Sequence, residues 1–231
     1  MTLTPEEWTA IRLSLAVASM ATLLALPVAI GVAYALSRWR FPLRTLLDAL
    51  VHLPLVLPPV VTGIILLSLL GRRAPVGGFL AEYLGLSFSF RWTGAALAAA
   101  VMAFPLLVRP IRLAFDSIDR ELESTASTLG ASPPWRFALV TLPLALPGIL
   151  SGAVLCFAKA LGEFGATITF VSSIPGETQT LSLAIYAALQ RPDGDAAAFR
   201  LTLVAVAIAM SAVLLSEILA RRARRQAAGG A

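Results

Sequence analysis

The chain has 231 residues, of which 58% are hydrophobic and only 13% are charged. A soluble domain carries about a quarter charged residues, so this composition excludes a soluble protein and predicts an all-α integral membrane protein. The net charge of +5 does not indicate nucleic-acid binding, because no stretch interleaves aromatic residues with arginines. The single cysteine, Cys156, excludes an intrachain disulfide and a cysteine-based metal site, and the single histidine, His52, offers no metal cluster.

Five segments are long and apolar enough to cross a bilayer, which requires about 20 mostly apolar residues. They are 11–37, 47–70, 93–114, 141–165 and 199–220. The second contains Pro54, Pro58 and Pro59, which together predict a distorted or broken helix. Broken backbone at membrane depth is stable only against protein or a water-filled cavity. Pro58 and Pro59 are therefore candidates for the wall of a translocation pathway, with a kink at the membrane surface as the alternative.

The positions of the arginines predict how these segments are oriented. The loops of one side hold eleven arginines and those of the other side hold six, and cytoplasmic loops carry the excess. We therefore expect the N-terminus outside and the C-terminus in the cytoplasm. We also expect a single transmembrane domain over 8–220, with a basic, disordered tail over 221–231.

The stretch 164–190 contains two further apolar runs, 164–171 and 181–189, separated by Pro175 and Gly176. Each run is too short to cross a bilayer alone. We expect a re-entrant or outer-face excursion, and a sixth crossing is the alternative.

A polar stretch after the third segment predicts a short helix from about Asp119 to Leu129. Acidic residues, among them Glu121 and Glu123, lie near its start, where the helix dipole favours negative charge. Gly130 can end this helix in a left-handed conformation.

The residues around the end of this helix suggest a docking element on a membrane face. Ser132 can cap the next helix, and Pro133 suits its first position. Ala126 and Gly130 are four residues apart, so one face of the helix is small and permits close approach of a partner. An ordinary amphipathic helix in the membrane interface is the alternative.

The same stretch resembles a motif of the permeases of bacterial type I ABC importers: Glu-Ala-Ala, three residues, Gly, nine residues, Ile-x-Leu-Pro. Here Ala126 is followed after three residues by Gly130, and nine residues later by Val140-Thr141-Leu142-Pro143. Thr125 replaces the first Ala, and Glu123 comes one position earlier than in the strict pattern. The resemblance implies a coupling helix within about 116–140 that sits in a cleft of a cytoplasmic ATPase. The coupling residues that it implies are Glu121, Glu123, Thr125, Ala126, Leu129, Gly130, Ala131 and Pro143.

Three further stretches resemble the permeases of molybdate ABC importers in particular. They are 52–61, 158–170 and 174–178. Sulfate permeases share Gly-Glu-Phe-Gly-Ala, here 162–166, but are otherwise less similar. The resemblance extends over 8–217 and implies the type I ABC importer permease fold with about five transmembrane helices in the bacterial cytoplasmic (inner) membrane.

This resemblance implies import of molybdate, with tungstate as a second substrate. The implied partners are a second copy of this chain, a dimer of the cytoplasmic ATPase, and an outer oxyanion-binding protein that meets the loops 71–92 and 174–198. ATP and magnesium would belong to the ATPase, because this chain has no Gly-x-x-x-x-Gly-Lys-Ser/Thr motif. The chain is therefore expected to be a transport subunit rather than an enzyme, and to bind no cofactor itself.

Lys159 and Glu163 are four residues apart inside the fourth segment, so we expect this charged pair on one helix face. Charges within a membrane cost about 2.5–3.5 kcal/mol each on insertion scales, so they are usually paired and functional. The pair either fixes the helix against its neighbours or offers Lys159 as a transient site for an oxyanion, with Glu163 orienting it. Thr167 and Thr169 could add hydroxyl groups, although membrane threonines often bond their own backbone.

Other readings of the chain remain. Sulfate or another tetrahedral oxyanion is the main alternative substrate. An ATP-independent channel or carrier would work without an ATPase, and an intramembrane enzyme or scaffold would need converging catalytic side chains that these segments barely offer.

Overall fold

A computed structural model describes residues 3–228, in which every regular element is a helix. The helices are α1 (Pro5–Arg38), α2 (Arg44–Val56), α3 (Pro59–Leu70), α4 (Pro75–Tyr83), α5 (Trp92–Ser117), α6 (Arg120–Thr128), α7 (Pro133–Arg136), α8 (Leu142–Leu161), α9 (Gly165–Val171), α10 (Leu181–Leu189) and α11 (Asp195–Ala228). A π-helical stretch, Phe137–Thr141, joins α7 to α8 in one continuous helical rod.

Four elements are long and apolar enough to cross a membrane: α1, α5, the rod that contains α8, and α11. Helices α2 and α3 make a fifth crossing when taken together, and their axes are bent by 115°. The prediction of about five transmembrane helices is thereby confirmed.

The break between α2 and α3 lies at Leu57 and Pro58. Both residues have extended backbone, because each precedes a proline and is thereby kept out of the helical region. Pro59 then begins α3. A proline is tolerated there because the N–H group of the first helical residue makes no hydrogen bond within the helix. The predicted broken segment is confirmed, although Pro54 is accommodated inside α2.

Helix α5 is the centre of the fold and packs against α1, α2, α8 and α9. Small side chains on its buried faces allow these helices to approach closely. The fully buried alanines of α5 are Ala95, Ala98, Ala99 and Ala103. The core is therefore built from close helix contacts rather than from large side chains alone.

The stretch 164–190 forms the short helices α9 and α10, which fold back against the longer ones. Helix α9 packs on α3 and α5, and α10 packs on α1 and α11. The Leu181 backbone N–H donates to Ser14 Oγ at 2.6 Å, which fixes the start of α10 to α1. Neither helix is long enough to cross a membrane, so the residues described contain no sixth crossing.

The last helix reaches into the expected tail, because α11 continues to Ala228. Disorder of the tail over 221–231 stays a prediction. Residues 229–231 lie outside the described part of the chain.

Candidate coupling surface and translocation site

Helix α6 begins where the sequence predicts it. Asp119 is its N-cap, and its carboxylate Oδ1 accepts a hydrogen bond from the Glu121 backbone N–H at 3.0 Å. Glu121 and Glu123 occupy the first turn. The acidic start is therefore stabilised by a side-chain cap and by the helix dipole.

The other end of α6 closes at Gly130, which has a left-handed φ of +87°. The Gly130 N–H donates to Ser127 O at 3.0 Å, and the Ala131 N–H donates to Ala126 O at 3.0 Å. These two bonds make a Schellman motif, which a residue without Cβ at this position favours. Ser132 follows as the N-cap of α7, but its side chain makes no capping hydrogen bond.

Three large apolar side chains on α6 and its flanks are exposed. No residue of α6 is buried. Leu122 is 49% exposed, Leu129 is 83% exposed, and Trp135 of α7 is 62% exposed. Leu122, Ala126 and Leu129 recur at helical spacing and so share one face. We call Leu122, Ala126, Leu129 and Trp135 the docking face.

Of the other expected coupling residues, Glu121, Thr125 and Pro143 are also exposed, and Ala131 is half-buried. Pro143 lies in the first turn of α8. The structure thus gathers these side chains around α6 and the start of the rod. Contact with an ATPase stays a prediction.

Glu123 differs from its neighbours because it faces the membrane helices. Its Oε1 lies 3.1 Å from Arg38 Nη2, at the last residue of α1. The same oxygen accepts a hydrogen bond from Thr141 Oγ1 at 3.0 Å. Arg38 and Thr141 are absent from the sequence-based site. The tie between them and Glu123 spans distant parts of the chain, so no local pattern signals it.

The second candidate site surrounds the broken crossing, where α9 packs against α3. A Cβ at Gly63 would overlap the Thr169 hydroxyl and would lie 2.7 Å from Ala166 O. A Cβ at Gly165 would lie 2.7 Å from Pro59 Cβ. The short helix therefore sits directly against the half-crossing that begins with Pro59.

Lys159 and Glu163 form the expected ion pair, with 3.0 Å between Lys159 Nζ and Glu163 Oε2. The other carboxylate oxygen, Oε1, accepts a hydrogen bond from the Ala166 backbone N–H at 3.0 Å. The side chain of Glu163 is 2% exposed and that of Lys159 is 33% exposed. Helix α8 ends at Leu161, so the two residues do not share a helix face as the spacing predicts. Glu163 lies instead in the break before α9. There its carboxylate accepts the hydrogen bond from the Ala166 backbone N–H, in the first turn of that helix.

The two threonines do not present free hydroxyl groups together. Thr169 Oγ1 donates to Gly165 O at 2.9 Å and to Ala166 O at 3.1 Å, so it bonds its own helix. Thr167 is 1% exposed. Pro58 and Pro59, in contrast, are exposed in the single chain.

The single histidine belongs to a polar network near the α6 end of the molecule. His52 Nδ1 lies 2.8 Å from Asp48 O, and Arg112 Nη1 donates to Asp48 Oδ1 at 2.8 Å. This network joins α2 to α5, and the role of His52 in it is structural.

At the end of the molecule opposite α6, an open cavity of about 760 Å³ lies beside α4. Its lining includes Arg72, Arg73 and Arg91 and contains no carboxylate. In the described part of the chain these three arginines make no ion pair. The cavity is therefore a positively charged recess.

This chain is similar in sequence to known transport permeases. The family model described as "Binding-protein-dependent transport system inner membrane component" matches residues 25–225. The molybdenum transport system permease protein ModB of Escherichia coli (strain K12) is 54% identical over 228 residues, covering 98% of this chain and 99% of that protein. The sulfate transport system permease protein CysT of Salmonella typhimurium is 36% identical over 214 residues, covering 93% and 76%.

A solved structure has the same fold. The chain resembles a bacterial ABC transporter involved in the import of the acidic polysaccharide alginate, with a TM-score of 0.72 and 20% identity, over 95% of this chain and 80% of that one.

Proposed function

The chain belongs to the family of binding-protein-dependent transport system inner membrane components, and from this we propose that it is the membrane subunit of an ATP-driven importer of molybdate, with tungstate as a second substrate. The observation that carries the substrate is the 54% identity to a molybdenum permease over nearly the whole of both chains. The sulfate permease is less similar and matches only 76% of its own length, which makes sulfate the alternative.

The docking face supports coupling to a separate ATPase. Exposed leucine side chains on the capped helix α6 and at its end lie with the exposed Trp135 of α7 and the small Ala126, and they give an apolar surface. Such a surface fits a cleft of a partner protein, and aromatic and aliphatic anchors dominate the energy of protein contacts of this kind. We place this face in the cytoplasm, because the arginine-rich loops lie at the same end of the molecule.

The positively charged recess supports docking of an outer oxyanion-binding protein. Its three arginines lie at the end of the molecule opposite α6. Clustered charges of one sign steer a partner of opposite charge and speed its association. Acidic side chains on the binding protein are the complementary surface.

The broken crossing supports a translocation pathway between two copies of this chain. Pro58 and Pro59 are exposed on one chain, and irregular backbone at membrane depth requires protein or water beside it. Glu163 is shielded and doubly hydrogen-bonded, so its role is structural. Lys159 keeps a third of its side chain exposed and supplies the pathway with positive charge for an oxyanion.

The substrate is tested by elemental analysis of cells that lack their own oxyanion importers. The cells express this chain with its ATPase and binding protein, and molybdenum, tungsten and sulfur are measured after growth in each oxyanion. We expect accumulation of molybdenum and tungsten that requires the ATPase. Sulfur accumulation alone would replace the substrate, and accumulation without the ATPase would support a channel or carrier.

A further inference from the structure

Arg38 connects the coupling helix to α1, one of the two longest helices of the fold. Its Nη2 lies 3.1 Å from Glu123 Oε1 in α6 and donates to Ile118 O at 3.2 Å, just before α6. The side chain of Arg38 is 8% exposed and that of Glu123 is 19% exposed. Water screens a pair this shielded much less than a surface pair, so its geometry is held more firmly.

Glu123 also makes the side-chain contacts that hold α6 against the membrane-crossing helices. No residue of α6 is buried, so packing holds this helix weakly. In the described residues, the side-chain bonds between α6 and a membrane-crossing element are those of Glu123 with Arg38 and with Thr141, at the start of the rod. Besides its short backbone connections, α6 is therefore linked to α1 and to the rod through this carboxylate.

The far end of α1 is fixed in a comparable way. Arg200 Nη2 of α11 lies 2.7 Å from Glu7 Oε1, and Glu7 is 7% exposed. Ser14 accepts a hydrogen bond from the first residue of α10, Leu181. Helix α1 has 34 residues and is thus about 50 Å long, with an ion pair close to each end.

We propose that Arg38 is a positioning residue of the transport cycle. Its ion pair with Glu123 fixes α6 to α1, so that a displacement of α6 moves α1 and reaches α10 and α11 at the opposite end. Helices with fixed contacts at both ends transmit such shifts, because packed interfaces do not deform continuously. This inference rests on the proposed function in one respect, namely that an ATPase moves α6.

The experiment measures ATP hydrolysis and oxyanion uptake together, in liposomes that contain the whole complex with the loaded binding protein. The variants are Arg38→Ala, Glu123→Gln and the exchange Arg38→Glu with Glu123→Arg. Arg40→Ala is the matched control, since Arg40 is exposed and makes no ion pair within residues 3–228. Co-purification of the ATPase shows that each complex has assembled.

We expect each single variant to retain the ATPase and to hydrolyse ATP while it moves at least about tenfold less oxyanion per ATP, because the remaining partner is left shielded and unpaired. The exchange should restore the ratio to within about threefold of the parent, because it remakes the pair with opposite polarity. A parental ratio in Arg38→Ala would overturn the proposal. Loss of uptake that the exchange does not restore would also overturn it, because the contact would then be merely structural.

A second measurement does not depend on substrate or ATPase. Amide hydrogen exchange of the purified chain in lipid nanodiscs should become faster throughout α6 in Arg38→Ala and stay unchanged in Arg40→Ala. Unchanged exchange in both would remove the link. If the parent complex moves another oxyanion, or moves molybdate without ATP, the proposed function fails, but the exchange data still decide whether Arg38 holds α6.

Discussion

At the residue scale, single side chains and one glycine determine how the two candidate sites are held. Gly130 adopts a φ of +87° that completes the end of α6. Glu163 gives one carboxylate oxygen to Lys159 and the other to the start of α9. Both residues act at helix ends, where the last carbonyl groups or the first N–H groups have no hydrogen-bond partner within the helix. The turn at Gly130 and the carboxylate of Glu163 provide such partners.

Replacing Gly130 tests the end of the coupling helix. No atom lies within 4 Å of a Cβ at this position, so only backbone strain is at issue. A left-handed conformation costs an ordinary residue about 1–2 kcal/mol, whereas Asn tolerates it. We expect Gly130→Val to reduce uptake severalfold at equal membrane abundance and Gly130→Asn to retain most of it. Equal uptake by the two variants would contradict this explanation.

Replacing Lys159 separates its structural role from its role in the pathway. Lys159→Met leaves Glu163 shielded and without its cation, which costs about 3–5 kcal/mol in buried pairs, so we expect low membrane abundance. Lys159→Met with Glu163→Gln removes both charges and should restore abundance. Uptake should stay low in this double variant, because the pathway has lost its positive charge. Immunoblots and oxyanion uptake give the two readouts, and normal uptake would mean that the pair is only structural.

At the element scale, the fold depends on close contact between short helices and long ones. Helix α9 lies so near α3 that only a glycine fits at position 63. Helix α6 differs, because none of its residues is buried and its side-chain bonds to the membrane-crossing helices come from Glu123. One element is thus fixed by packing and the other by an ion pair and a hydrogen bond.

A methyl group at position 63 tests the contact between α3 and α9. Gly63→Ala forces these helices apart, and overpacking of this kind costs about 1–3 kcal/mol. Gly31→Ala is the matched control, because a Cβ at Gly31 of α1 meets no atom within 4 Å. We expect a lower thermal midpoint for the detergent-solubilised Gly63→Ala protein and no decrease for Gly31→Ala. A similar midpoint for both variants would show that α9 moves aside at little cost.

At the scale of the whole molecule, the two ends present different surfaces to different partners. One end has an apolar docking face on α6, and the other has a recess lined by three arginines. Helix α1 runs between these ends and makes an ion pair close to each of them. Helix α1 therefore connects the α6 end to α10 and α11 at the opposite end of the molecule.

Charge reversal in the recess tests docking of the binding protein. Arg72→Glu with Arg73→Glu should weaken association of the binding protein and make it less sensitive to salt, because exposed charges interact over about 10 Å at 0.1 M salt. The control is Arg40→Glu, which makes the same charge reversal at the α6 end of the molecule. Association is measured by light scattering or interferometry with the complex in nanodiscs. Equal weakening by all reversals would indicate an effect of net charge alone.

The sequence by itself determined the helical class, the number of crossings, the broken segment and the position of α6. These properties depend on local composition: long apolar runs, the prolines at 58 and 59, and the glycine at 130. Proximity along the chain also predicted the pairing of Lys159 with Glu163, although not the end of α8 between them.

Only the tertiary structure decided which distant residues meet. Arg38 pairs with Glu123, Thr141 bonds the same carboxylate, and Arg200 pairs with Glu7 across most of the chain's length. The tertiary structure also showed that the Thr169 hydroxyl group donates a hydrogen bond within its own helix. It further showed that α3 contacts α9 at Gly63. Such contacts follow from how helices cross in three dimensions, and a single sequence contains no local signal for that geometry.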